Sequence, residues 1–160
     1  MPSSKTSGAG ALQSLFGAAA AVCRGEMDLA EWMISDAGSS GLSSAVLNIS
    51  PVVVKNLLTL TDPPILGGDA GVLTMEFVVA CHGKFPYGTT TIGTLCLQAA
   101  AGQIDPWYPE LAFALDLDVT VPVWGAVACT WFAAEQLAYA YGADPATASE
   151  RICLSIASHI

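Results

Sequence analysis

Charge is what this sequence has least of. Charged side chains make up 12% of the chain, against about 25% in an ordinary soluble domain. Only 5 are basic and 14 are acidic, so the formal net charge is −9. A chain with so few cations is repelled by bulk nucleic acid and by anionic lipid, which excludes the basic duplex-binding class. It leaves room for an array in which each copy touches only a few phosphates.

Uninterrupted apolar runs of membrane length are also missing. A spanning helix needs about 20 predominantly apolar residues. The uncharged stretch between Asp118 and Glu135 is shorter than that, and the one from Phe85 to Ile104 carries Pro86, glycines, threonines and glutamines. A membrane partner is therefore not expected. No export signal is expected either, because the small-residue run Ala18–Ala21 leads into no extracellular signature. Cys-x-x-Cys is absent, and the 5 cysteines (Cys23, Cys81, Cys96, Cys129, Cys153) stand singly in apolar surroundings. They read as reduced, buried thiols of a cytoplasmic, reducing environment. The glycine-rich "GGDAG" fits neither the phosphate-loop spacing nor the dinucleotide fingerprint, and reads as a turn.

What the chain has in excess is apolar content, 53%. A lone domain of 160 residues normally covers itself with more charge, so part of this surface is expected to meet protein. The pattern is helical. Residues 1–10, "MPSSKTSGAG", have the composition of a mobile arm, and residues 11–160 form one helical domain. Helix one is expected from about Ala11 to Arg24, stopped by Gly25. A short helix around Asp28–Ile34 should turn Leu29, Trp32 and Met33 inward, followed by the loop "SDAGSSGLSS". Ser50 as N-cap and Pro51 as first helical residue should open the next helix, with "PVVVK" allowing a strand as the rival. Val72 to Cys81 should bury Val72, Met75 and Val79 and end at Gly83. Thr89–Thr91 should cap a helix that ends at Gly102. Asp105-Pro106 should open a short helix to about Leu115, and Leu115–Val121 is the one segment that alternates like a strand. Asp144-Pro145 should open the last helix, with Ile152, Leu154 and Ile156 as its apolar positions. The expected fold is all-α: a single compact domain of about 7–8 helices.

The longest helix, opened by Thr120-Val121-Pro122 and closed by Gly142, carries one charge, Glu135. Trp124, Val127, Ala128, Trp131, Ala134 and Ala138 form a stripe, and other apolar side chains cover much of the remainder. Such a helix is buried on all sides, and Gly125, Ala126 and Ala128 allow its neighbours to come close.

Candidates for chemistry are sparse. His82 adjoins Cys81, but adjacent helical residues diverge by about 100° and suit a shared metal poorly; His159 has no companion ligand. No cofactor or metal is expected. Asp116 and Asp118 form an Asp-x-Asp pair that reads as a solvated loop edge. Glu76 and Glu135 lie in apolar helices, where each reads as a residue at a surface edge or, in the rival reading, as the partner of a cation from Arg24, Lys55, Lys84 or Arg151, within the subunit or across a contact; the same cations are the candidates for phosphate contact. Trp32, Trp107, Trp124 and Trp131 are core or interface anchors. Three functions fit. The first is a non-enzymatic structural subunit that self-assembles, viral coat-like, with copies of itself as partners and single-stranded nucleic acid held through few contacts. The second is a binding module for an apolar ligand or partner helix at the Trp124/Trp131 helix. The third is a small cysteine- or aspartate-dependent enzyme.

Overall fold

A computed structural model of the chain describes residues 4–60, 65, 70–104, 120–141 and 144–158. They form helices α1 (Ser4–Cys23), α2 (Met27–Ser39), α3 (Ser43–Thr59), α4 (Ala70–Cys81), α5 (Thr89–Ala100), α6 (Thr120–Ala140) and α7 (Pro145–Ser158). Among the described residues there is no strand. The fold is all-α, and "PVVVK" lies within α3. The expected helix from Asp105, the strand-like segment up to Val119, Asp116, Asp118, Trp107, Gly142 and His159 lie outside the described residues.

Helix α6 is the axis. From Val121 to Ala134 every residue is buried, and all six other described helices pack on it, α5 and α3 most extensively. The small residues account for how close they come. A Cβ added to Gly125 would lie 2.5 Å from Ile92 Cγ2 and 2.9 Å from the backbone nitrogen of Gly93 on α5. A Cβ on Gly93 would collide with the ring of Phe77. Two facing glycines thus set the α5–α6 separation, and Phe77 of α4 closes the gap, edge-on to Phe132 with ring centroids 5.3 Å apart.

Glycine ends three of the helices by one mechanism. After α1, α2 and α5, Gly25, Gly41 and Gly102 adopt φ of 77°, 73° and 74°. In each case the next residue's N–H reaches back to close the last turn: Glu26 to the Ala21 carbonyl, Leu42 to Ala37 and Gln103 to Gln98. Only glycine adopts that left-handed conformation without a steric cost. Asp144 opens α7 as expected, its carboxylate accepting from the Thr147 N–H at 3.3 Å and the Thr147 hydroxyl at 2.7 Å.

Several boundaries differ from the sequence reading. Helix α1 begins at Ser4 rather than near Ala11; Gly10 packs against Leu42, a long-range contact that local composition does not show. Helix α2 continues to Ser39 through residues read as loop. Its buried positions are Ala30, Ile34 and Ala37, while Trp32 is 64% exposed rather than inward. The reason is the partner: α2 packs on α1, where Gly17 leaves room for Met33, and small side chains bring the two helices together more closely than a tryptophan would. Helix α3 starts at Ser43, so Ser50-Pro51 lies inside it. Pro51 has no N–H to give the Leu47 carbonyl; the buried Ser50 hydroxyl donates to that carbonyl instead, at 3.1 Å. Helix α5 is opened by Gly88 with no side-chain cap, and the Thr89 hydroxyl is buried without a partner. On α7, Ser149 and Cys153 are buried and Leu154 is exposed.

Candidate functional site

Helix α4 has apolar residues on both sides. Leu73, Phe77 and Cys81, at intervals of four, face the core. The other side carries Val72, Met75, Val78 and Val79, and it faces out: Met75 is 69% and Val79 74% exposed. The expected inward set, Val72, Met75 and Val79, is therefore the outward one. Periodicity admits both assignments, because residues 73, 77 and 81 repeat as helically as residues 72, 75 and 79; the aromatic ring of Phe77 fits the space left by Gly93 and decides between them. Glu76 lies exposed on the same helix. Tyr87, fully exposed, stands beyond its C-terminus. Between them a cleft of roughly 330 Å³ is lined by Val78, Cys81, His82, Phe85, Tyr87 and Thr90, among others.

The tryptophans of α6 are packed. Trp124 and Trp131 are each 4% exposed, and Phe85 lies edge-on to both, with centroids 5.9 and 5.5 Å away. Lys84 lies 4.6 Å from the centre of the Trp131 ring, a cation–π contact. Phe85 is a residue that sequence reasoning passed over; its only signal was its place in "KFPYG", a turn.

The charged candidates separate. Arg24 pairs with Glu26 at 2.9 Å and with Glu150 at 3.2 Å, joining the end of α1 to α7. Its carboxylates are thus not Glu76 or Glu135, the pairing that one of the two readings allowed; Glu150 comes from a distant part of the chain. Glu135 is half-buried, and burial raises its carboxyl above the ordinary range while Lys84 draws it partly back. Lys55 and Arg151 are exposed, and among the described residues neither forms an ion pair with a carboxylate. The sites are not brought together: Lys55 is on α3, Lys84 follows α4 and Arg151 is on α7.

The thiols divide in two groups. Cys81, Cys96 and Cys129 are buried. Desolvation pushes Cys81 up to about 12, and burial beside Cys96 drives Cys129 upward as well. A thiol so held carries almost no thiolate at neutral pH and is a poor nucleophile, so a pairing of Cys81 or Cys129 with His82 gains no support. Cys96 donates to the Ser50 hydroxyl at 3.5 Å, tying α5 to α3. Cys23, on α1, and Cys153, on α7, form the other group. Among the described residues no cluster of three or more His, Cys, Asp or Glu side chains has the geometry to hold a metal ion. Nor is any single helix long and apolar enough to cross a membrane; α2 and α3 reach that length together, but are bent by 120°.

Compared with known proteins, the chain matches no family model, no curated protein and no solved structure.

Proposed function

We propose that this chain is a structural subunit that assembles with copies of itself, in the manner of a coat protein. The observation that carries the reading is the outward face of α4. Three β-branched or flexible apolar side chains, Val72, Met75 and Val79, lie on one side of a helix whose opposite side is already buried. Water exposure of such a face is costly, at roughly 25 cal/mol per Å², and a second protein surface removes that cost. Trp32 and Tyr139, both exposed, add aromatic surface on other helices of a chain with little charge to shield it. In an assembled array each copy would offer nucleic acid only a few cations, Lys55 and Arg151 first, since Arg24 is neutralised by two carboxylates.

The test is light scattering on the purified full chain, alone and as the Met75→Lys/Val79→Lys variant. Particles much larger than one chain are expected for the native sequence, and smaller ones for the variant with an unchanged helical circular dichroism spectrum. A native chain that remains monomeric at about ten micromolar would overturn the reading. The absorbance ratio of the particles reports any nucleic acid they carry.

A further inference from the structure

Helices α1 and α7 are among the most extensively packed pairs in the fold, and their contact holds two cysteines that nothing above has used. Cys23 closes α1 and is half-buried; Cys153 lies mid-way along α7 and is fully buried. The two thiols lie close enough to interact, and Ser149, one turn earlier on α7, neighbours Cys23 as well. One residue further on, Arg24 grips Glu150 at 3.2 Å, so the two backbones are held together beside the sulfurs by an ion pair as well. We propose that Cys23 and Cys153 form a peroxide-sensitive thiol pair, in which Cys23 is the reacting residue and Cys153 resolves it to an internal disulfide.

The chemistry follows from the asymmetry of the two sulfurs. Cys23 has access to solvent, and the Cys153 and Ser149 side chains beside it stabilise its anion. They hold its pKa below that of a free thiol, although burial and the carboxylates of Glu135 and Glu150 act the other way. The carbonyl end of α1 does not favour an anion either, so the neighbouring Cys153 and Ser149 side chains are what lower the pKa of this sulfur. Cys153, the buried member, is shifted upward and has no access of its own. The oxidant is a hydroperoxide. The Cys23 thiolate attacks its outer oxygen, the O–O bond breaks, and the leaving oxygen takes a proton; Cys23 is then a sulfenic acid. The Cys153 sulfur gives up its proton and attacks the Cys23 sulfur, the S–O bond breaks and water leaves. Two thiols have lost two electrons, the peroxide has gained them, and a dithiol reductant reverses the change. Cys81, Cys96 and Cys129 stay out of the reaction because they are buried, and burial also raises the Cys81 and Cys129 thiols. The bond would fasten the end of α1 to α7, whose contact otherwise rests on packing and the Arg24–Glu150 pair.

The experiment treats the reduced full chain with hydrogen peroxide and maps its cysteines by peptide mass spectrometry. The expected product is one internal Cys23–Cys153 disulfide, with the other three thiols unmodified and full recovery in dithiothreitol. Cys153→Ser is expected to stop at a sulfenic acid on Cys23, trapped by dimedone. Cys23→Ser should slow peroxide consumption by about tenfold or more. If Cys153→Ser does not fold, Cys153→Ala and the map of the native chain carry the test. Peroxide that leaves Cys23 reduced while oxidising Cys81, Cys96 or Cys129 would overturn the proposal. So would oxidation of Cys23 with Cys153 still a free thiol in the native chain.

Discussion

Ser50 is the residue on which α3 depends most locally. Pro51 strips the Leu47 carbonyl of its helical donor, and the Ser50 hydroxyl takes that donor's place while accepting from Cys96. Ser50→Ala leaves a buried carbonyl unpaired and is expected to cost about 1–2 kcal/mol in urea denaturation. The cost should shrink when Pro51 is also replaced by alanine, because the restored N–H then serves Leu47; equal costs in both backgrounds would show that the hydroxyl acts elsewhere. Glu135 gives a prediction in pH. Burial raises its folded-state pKa above the ordinary 4.5, with Lys84 opposing. A carboxyl raised on folding contributes most to stability below its unfolded value, and that contribution is lost as pH rises through the folded value. Glu135→Gln should therefore raise the melting temperature at neutral pH and give no gain below about pH 4. A gain of the same size at both pH values would remove burial as its cause.

Among the elements, the α5–α6 contact is the one with no slack. Gly125 faces Ile92 and the Gly93 backbone nitrogen, and that backbone cannot swing aside as a side chain end could. Gly125→Ala is expected to destabilise the fold by roughly 1–3 kcal/mol, as overpacking does in dense cores, read from the denaturation midpoint. Gly25→Ala should act by a different route: its added Cβ meets nothing within 4 Å, but φ of 77° is unfavourable to alanine. The pair therefore separates steric from conformational cost. Much of this was legible. Gly25, Gly83 and Gly102 were readable as stops because the left-handed turn is a demand of the local backbone. The small residues of α6 were readable as points of close approach. The Ser50-Pro51 pair misled because the same two residues serve at a helix start and, with the hydroxyl turned back, inside a helix.

At the scale of the whole molecule, the shortage of charge and the outward face of α4 lead to one expectation. If copies associate through that face, folding and assembly are linked, and the melting temperature rises with protein concentration. Differential scanning calorimetry of the native chain over a hundredfold range of concentration should show the rise, and Met75→Lys/Val79→Lys should abolish it. A concentration-independent melt in both would argue that α4's outer face stays in water.

The sequence by itself determined several of the turns and which helix is central. Left-handed glycines and the Asp144-Pro145 cap are properties of a few adjacent residues, and a helix apolar on every side, as α6 is from Val121 to Ala134, has only one stable place to be. Tertiary structure alone decided the rest. Helix α4 has two apolar faces, and only Phe77 meeting Gly93 selects which is buried. Helix α2 hides Ala30 and Ala37 rather than Trp32 because α1 lies close. Arg24 finds Glu150, and Cys23 finds Cys153, across more than a hundred residues of chain. These choices depend on which surface stands opposite, and a one-dimensional pattern records what each helix offers without recording what it meets.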